Sequence, residues 1–253
     1  MNWPKITVVT PSYNQMHFLG ATLESVRRQA YPNLEHILID GGSKDGSLEI
    51  VKQYKEHLSY WVSESDAGQT EALIKGFARA TGEIFCWLNS DDLFLPNTLR
   101  DVAEHFAMHP YDLFIYGNAQ CINRDGIHLF DKKEIPFNWF IWLYNYNYIP
   151  QPSCFWKSTL YNDVGGLNPA FDLAMDADLW ARFAEVTKPI HVKRTWSQIR
   201  LYPEQKNQRL RQQSNQEDMR IRSRYIRQEN AVTFLIKKYL AKFLRTLWRT
   251  MEN

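Results

Sequence analysis

Between Lys5 and Leu88 the chain alternates two hydrophobic rhythms. Short runs rich in β-branched, aromatic and aliphatic residues occur at Lys5–Thr10 (KITVVT), Leu34–Asp40 (LEHILID), Ser59–Ser65 (SYWVSES) and Glu83–Leu88 (EIFCWL), each ending at polar or turn residues. Between them, Phe18–Gln29, Ser47–Leu58 and Gln69–Ala80 repeat apolar residues every three or four positions, which is helical spacing. That order predicts βαβ units and a mostly parallel sheet flanked by helices, whose ligands collect beyond the carboxyl ends of the strands. The polar residues at those ends are Ser12, Tyr13 and Asn14, then Asp40, then Asp66, then Asn89, Asp91 and Asp92. Asp91 and Asp92 stand out, because adjacent carboxylates leaving a buried strand repel each other unless something positive sits between them. An aspartate pair can also cap a helix, but capping needs only one of the two. A hard divalent cation, Mg²⁺ or Mn²⁺, would relieve the repulsion and still have sites open for phosphate oxygens.

Beyond Pro96 a helix over Asn97–His109 and a strand over Asp112–Gly117 are expected, and Met175–Val186 reads as a helix with Leu179, Phe183 and Val186 on one side. The segment Phe137–Trp156 is too densely aromatic for one amphipathic element; a core layer, an acceptor-facing wall and a membrane-facing patch all remain open for it. A chain of 253 residues, 44% hydrophobic and 14% aromatic, can fill a substantial core. Its first residues lack the basic start and apolar middle of a signal peptide, and no run is long enough for a membrane span, so the expected address is cytoplasmic. Cys86, Cys121 and Cys154 are odd in number and widely spaced, which points to reduced packing residues rather than a disulfide framework or a zinc site.

Three blocks in order, ITVVTPSYNQMHFLGATLESVRRQAYPNLEHILIDGGSKDGS, SESDAGQTEALIKGFARATGEIFCWLNSDDLFLP and GGLNPAFDLAMDADLWARF, run from Ile6 to Phe183. Together they resemble the family 2 glycosyltransferases of the GT-A fold. The resemblance implies a nucleotide-sugar donor, a divalent metal on its diphosphate, inversion at the sugar carbon, and a glycan or lipid-linked acceptor, in surface polysaccharide or glycolipid synthesis. It places Pro11, Ser12, Tyr13 and Asn14 around the nucleoside, with Tyr13 offering a ring face. Asp40 and Asp66 would touch base or ribose or serve as caps, and Lys75 would reach the donor or remain a surface lysine. Asn89-Ser90-Asp91-Asp92 corresponds to the family's acidic metal motif: Ser90 and Asp91 face the donor, Asp91 holds the metal, and Asp92 is a second ligand or ribose contact. Asp176 matches the family's catalytic base, with Met175 where a Glu often stands; Asp178 reads better as a structural carboxylate. Gln151 and Trp156 fall in the region that shapes the acceptor side, although a tryptophan is more commonly core.

The sequence departs from the family pattern at three points. Gly41 replaces an aspartate able to bond a uracil imide, which weakens the case for UDP; Tyr202 replaces a metal-binding histidine; and the Gln-x-x-Arg-Trp motif of processive synthases is missing, which favours single-sugar transfer. A sugar nucleotidyltransferase would want a Gly-rich, basic loop after the first strand, a dehydrogenase a Gly-x-Gly-x-x-Gly, and a non-catalytic binder the loss of the base or acidic pair; none of these holds here. A catalytic domain over residues 1–203 is expected, with the nucleotide part to about 117 and the acceptor side over 118–203, followed by a basic amphipathic tail over 204–253. The tail carries 12 Lys and Arg against 5 acids, the body 18 against 23. Such a helix can lie on an anionic membrane surface, making the protein peripheral, or dock on its own domain or on a second copy in a homo-oligomer; nucleic acid is disfavoured, since no reader motif accompanies the charge.

Overall fold

The computed structural model describes residues 3–227 and 229–252. Its first half follows the alternation read from the sequence: β1 (Ile6–Ser12), α1 (Met16–Arg27), β2 (Leu34–Asp40), α2 (Ser47–Tyr54), β3 (Tyr60–Ser63), α3 (Gln69–Phe77) and β4 (Ile84–Trp87). Every residue of β1 and β4 is buried, and β2 is buried from Glu35 on. Strands covered on both faces need continuous apolar runs, which is why these segments do not alternate. All three pairings in this half, β3 with β2, β2 with β1, and β1 with β4, are parallel.

The second half adds β5 (Leu93–Phe94), α4 (Thr98–Met108), β6 (Phe114–Ile122), β7 (His128–Lys132), α5 (Trp139–Tyr144), β8 (Cys154–Lys157), α6 (Ser158–Asp163), α7 (Met175–Val186) and β9 (Ile190–Arg200). The sheet continues β4-β8-β6-β9-β5, with β7 on β6. Here β8 runs antiparallel to β4 and β6, and β9 runs parallel to β6. The reversal at β8 marks where the parallel half gives way to a mixed half. Helices α8 (Lys206–Arg209), α9 (Arg211–Arg222) and α10 (Ala231–Glu252) follow.

The aromatic segment from Phe137 to Trp156, which runs into β8, is mainly a core layer. Trp142, Tyr148, Phe155 and Trp156 have no exposed surface. Trp156 meets Trp87 edge-on at 5.5 Å and Trp180 at 5.3 Å, while Trp87 and Trp180 stack at 5.5 Å. This corrects the acceptor-side expectation for Trp156, whose ring is enclosed by other rings and presents no face to a sugar. Leu179 and Phe183 of α7 point into the same layer, but Val186, in the last turn, is 55% exposed and leaves the face expected of it. The three cysteines are buried with free thiols; desolvation raises those of Cys86 and Cys154 well above their ordinary range.

Candidate active site

Strand β4 delivers Asn89, Ser90, Asp91 and Asp92 to the carboxyl edge of the sheet, and the two acids part company there. Asp92 is 4% exposed, and both of its oxygens are engaged: Oδ1 accepts the Arg200 backbone N–H at 3.0 Å and Oδ2 the Asn89 side-chain amide at 3.3 Å. Asp91 Oδ2 accepts the Tyr202 hydroxyl at 2.9 Å and the Gln205 amide at 3.4 Å. Burial pushes both carboxyls up, Asp92 far more, with the Asp91 charge adding to it. The positive group beside the pair is Arg200. Its Nε donates to the Asp91 carbonyl at 3.0 Å, and its Nη1 to the carbonyls of Asn123 and Arg124 at 3.1 and 2.7 Å. Sequence reasoning passed over Arg200, although it stands two residues before Tyr202 in the segment already singled out.

Asn89 has a role that an acid could not fill. Its amide donates to Asp92 and to Gln151 Oε1 at 3.1 Å while its oxygen accepts from Gln69 at 2.7 Å, so an aspartate here would face Asp92 without a donor. Gln151 in turn donates to the Trp87 carbonyl at 2.9 Å, which fixes it at the end of β4. Ser90 is buried beside them.

The loops after β1, β2 and β3 sort the remaining candidates. Tyr13 is 62% exposed and offers a free ring; Asn14, at φ 51°, accepts the Lys44 N–H and donates its own N–H to Ser43 Oγ. Pro11 and Ser12 lie inside β1, buried. Asp40 is withdrawn from the expected contact with base or ribose. It has no exposed surface, and its oxygens accept from the N–H groups of Gly42 and Ser43 and the hydroxyls of Ser43 and Ser63 at 2.5–3.1 Å, so it shapes its own loop. Asp66 keeps one oxygen clear of the Gly68 N–H that the other accepts at 3.0 Å, and burial raises its carboxyl. A Cβ on Gly41 would lie 2.9 Å from Asp66 Oδ2, so the Asp66 carboxylate fills the space that the missing aspartate would use. Lys75 is held between Glu64 and Glu71 at 3.0 and 3.1 Å, engaged on the surface of α3 rather than free to reach a donor.

Asp176 opens α7 and is half-buried, its Oδ2 accepting the Asn147 side-chain amide at 3.0 Å. Desolvation raises its carboxyl to about 6 against the opposing pull of the Ala177 N–H, and Asp218 on α9 adds a like charge. Asp178 is fully buried between Arg182 and Arg224, both at 2.7 Å, and is thus occupied structurally. The loop entering α7 is tied from α9, where Glu217 Oε2 accepts three consecutive N–H groups, those of Asp172, Leu173 and Ala174, at 3.1, 2.8 and 3.0 Å. One short segment joins the two ends of the site: Tyr202 and Gln205 bond Asp91, and Lys206 bonds Asp172 at 2.5 Å, four residues before Asp176.

Among the described residues no group of three His, Cys, Asp or Glu side chains is placed to hold a metal ion. The donor set still fits a cation of the shared kind, one carboxylate oxygen from Asp91 with phosphate oxygens and water completing the shell. Asp92, with both oxygens spent on protein donors, does not fit the ligand role expected of it. The Tyr202 hydroxyl, which stands where the family pattern has a metal-binding histidine, donates to Asp91 and is held protonated by burial and that carboxylate, so it does not take the histidine's place as a ligand.

A family model described as glycosyl transferase family 2 matches residues 7–162. An uncharacterized glycosyltransferase of Mycobacterium tuberculosis is 30% identical over 194 residues, covering 75% of this chain and 72% of the relative. The putative teichuronic acid biosynthesis glycosyltransferase TuaG of Bacillus subtilis is 33% identical over 129 residues, 49% of this chain and 51% of TuaG. Among solved structures, S. aureus TarS 1-349 in complex with UDP aligns with TM-score 0.65 at 19% identity, over 87% of this chain and 64% of that one. The mannosyltransferase PcManGT from Pyrobaculum calidifontis, in complex with GDP-Man and Mn²⁺, aligns with TM-score 0.65 at 19% identity, over 96% and 70%.

Proposed function

The chain belongs to glycosyl transferase family 2 and is a glycosyltransferase, and from that membership we propose that it moves a single sugar, with inversion, from a nucleotide-sugar donor to a hydroxyl of a glycan or lipid-linked acceptor. The observation that supports the reading is the hydrogen-bonded segment 202–206, which bonds Asp91 at one end and, at the other, Asp172 in the loop that leads into Asp176. The donor lies over the carboxyl edge of β1–β4, its base against the exposed ring of Tyr13. Asp176 accepts the proton of the acceptor hydroxyl as the new carbon–oxygen bond forms and the sugar–phosphate bond breaks, releasing the nucleoside diphosphate. A carboxyl poised near 6 is ionised at neutral pH yet more basic than an ordinary aspartate, as a general base requires. A divalent cation bound at Asp91 would neutralise charge developing on the departing diphosphate. Gln151, anchored beside Asn89, stands on the acceptor side. The complexes of TarS with UDP and of PcManGT with GDP-Man and Mn²⁺ support a nucleotide-sugar donor and a metal, and the name of TuaG supports an acceptor in polysaccharide synthesis.

A thermal-shift panel of UDP-, GDP-, dTDP- and CMP-sugars with and without Mn²⁺ tests the reading. One donor class stabilises the fold by mass action, about 2.7 kcal/mol at a hundredfold excess over Kd, and more strongly with Mn²⁺. A melting point that no nucleotide moves at millimolar concentration sinks it.

A further inference from the structure

Helix α10 has two faces, and only one is used by the fold. Phe234, Lys237, Ala241, Arg245 and Trp248, spaced three and four apart, turn toward the body. Ala241 is fully buried, Phe234 meets Tyr144 of α5 at 5.8 Å, Lys237 donates to the Tyr144 hydroxyl at 3.1 Å, and Arg245 pairs with buried Glu134 at 2.8 Å. The opposite face carries Val232, Ile236, Tyr239, Leu240, Phe243 and Leu247, again at helical spacing, and Ile236, Tyr239 and Phe243 are each more than 60% exposed. This six-residue stripe covers about four turns of helix, a length at which a soluble chain rarely leaves an apolar patch uncovered. Exposed Lys238 and Lys242, one turn apart, run along its edge, and no acidic residue occurs from Ala231 to Met251.

We propose that this outer face of α10 docks on the surface of an anionic lipid bilayer, lying in the interface with the stripe inserted and Lys238 and Lys242 against the headgroups. Charge decides between this occupant and a second copy of the chain. A copy would bring an equally basic helix, with no acid between Ala231 and Met251, against the lysine edge, whereas an anionic headgroup layer supplies the missing counter-charge. The docked inner face holds the helix to the body, so the stripe is presented without unfolding anything. No helix among the described residues is long and apolar enough to cross a membrane, and interfacial docking needs none.

The test is co-sedimentation of the full chain with vesicles of phosphatidylcholine alone and of phosphatidylcholine mixed with phosphatidylglycerol, alongside sedimentation velocity without lipid. The expected result is a monomer that partitions roughly tenfold or more in favour of the phosphatidylglycerol vesicles, since each lysine near an anionic surface contributes about 1 kcal/mol. Phe243→Asp with Leu247→Asp abolishes binding with the melting point unchanged, both positions facing away from the body. Lys238→Glu with Lys242→Glu removes the preference for phosphatidylglycerol while keeping the stripe. Failure to bind either vesicle, equal binding to both, or a dimer that Phe243→Asp splits would each overturn the proposal.

Discussion

Asp176 is caught between two demands, burial that favours its protonated form and the proposed role of base, which requires the ionised one. With its carboxyl raised to about 6, kcat/KM falls as pH drops through that value, because the protonated acid cannot accept the acceptor's proton. The linked effect on stability has the opposite sense. A carboxyl whose folded-state value lies above its unfolded one, ordinarily 3.8, costs nothing below about 4 and progressively more up to about 6. Asp176→Asn is therefore expected to keep donor binding, lower transfer by about 10²–10⁴-fold, and raise stability at pH 7–8 by about 1–3 kcal/mol. Full transfer by that variant in a product assay would remove Asp176 as the base. The acidic pair separates in the same way: Asp91→Asn should abolish the extra thermal shift that Mn²⁺ gives a bound donor, while Asp92→Asn should leave it in place. The reverse ranking would return the metal to Asp92 and contradict its engagement with Arg200 and Asn89.

Among the elements, α7 and α9 differ most in how far each could be read from the sequence. The bounds of α7 are those its periodicity predicts, Met175 to Val186, because apolar residues at helical spacing face the core. What holds the loop in front of it was not legible, since Glu217 lies 43–45 residues downstream on a helix with few buried side chains and nothing in its neighbours announces three backbone partners. Asp40 fails for a related reason: its place at a strand end was legible, but which donors its carboxylate meets depends on how the following Gly41-Gly42-Ser43 turn folds back. The parallel half was readable strand by strand because each strand is a local run of β-forming residues, buried throughout in β1 and β4 and almost so in β2, whereas β8 and β9 take their meaning from partners far away. Glu217→Ala leaves three N–H groups without a charged acceptor, and the expected cost is about 2–3 kcal/mol. It should lower kcat with donor affinity within about twofold, since the loop it secures leads into the proposed base and not into the proposed donor site. A variant that loses donor binding in step with kcat would mean that α9 supports the whole edge instead.

At the scale of the molecule, the uneven charge read from the sequence resolves into an acidic body clasped by a basic C-terminal segment. Lys206 bonds Asp172, Arg224 bonds Asp178, Arg222 bonds the Trp142 carbonyl, and Arg245 bonds Glu134. The last of these lies deepest at the α10 contact: Glu134 is fully buried at its side chain, and its oxygens accept from Arg245 at 2.9 and 2.8 Å and from Lys132 at 2.7 Å. Removing one partner of a buried pair costs about 3–5 kcal/mol, because the other is left desolvated. Here Lys132 remains beside Glu134, so the loss should fall at the low end and be felt mostly by α10, whose other anchors include Ala241, Trp248, the Phe234–Tyr144 contact and the Lys237–Tyr144 hydrogen bond. Arg245→Ala is accordingly expected to open α10 to limited proteolysis several-fold faster than in the parent while the body, with the Asp91–Asp172 bridge through residues 202–206, still gives the full donor-induced thermal shift. If the donor shift vanishes with the tail's protection, α10 and the catalytic edge unfold as one cooperative unit. If neither changes, the Arg245–Glu134 pair is not what fastens the helix.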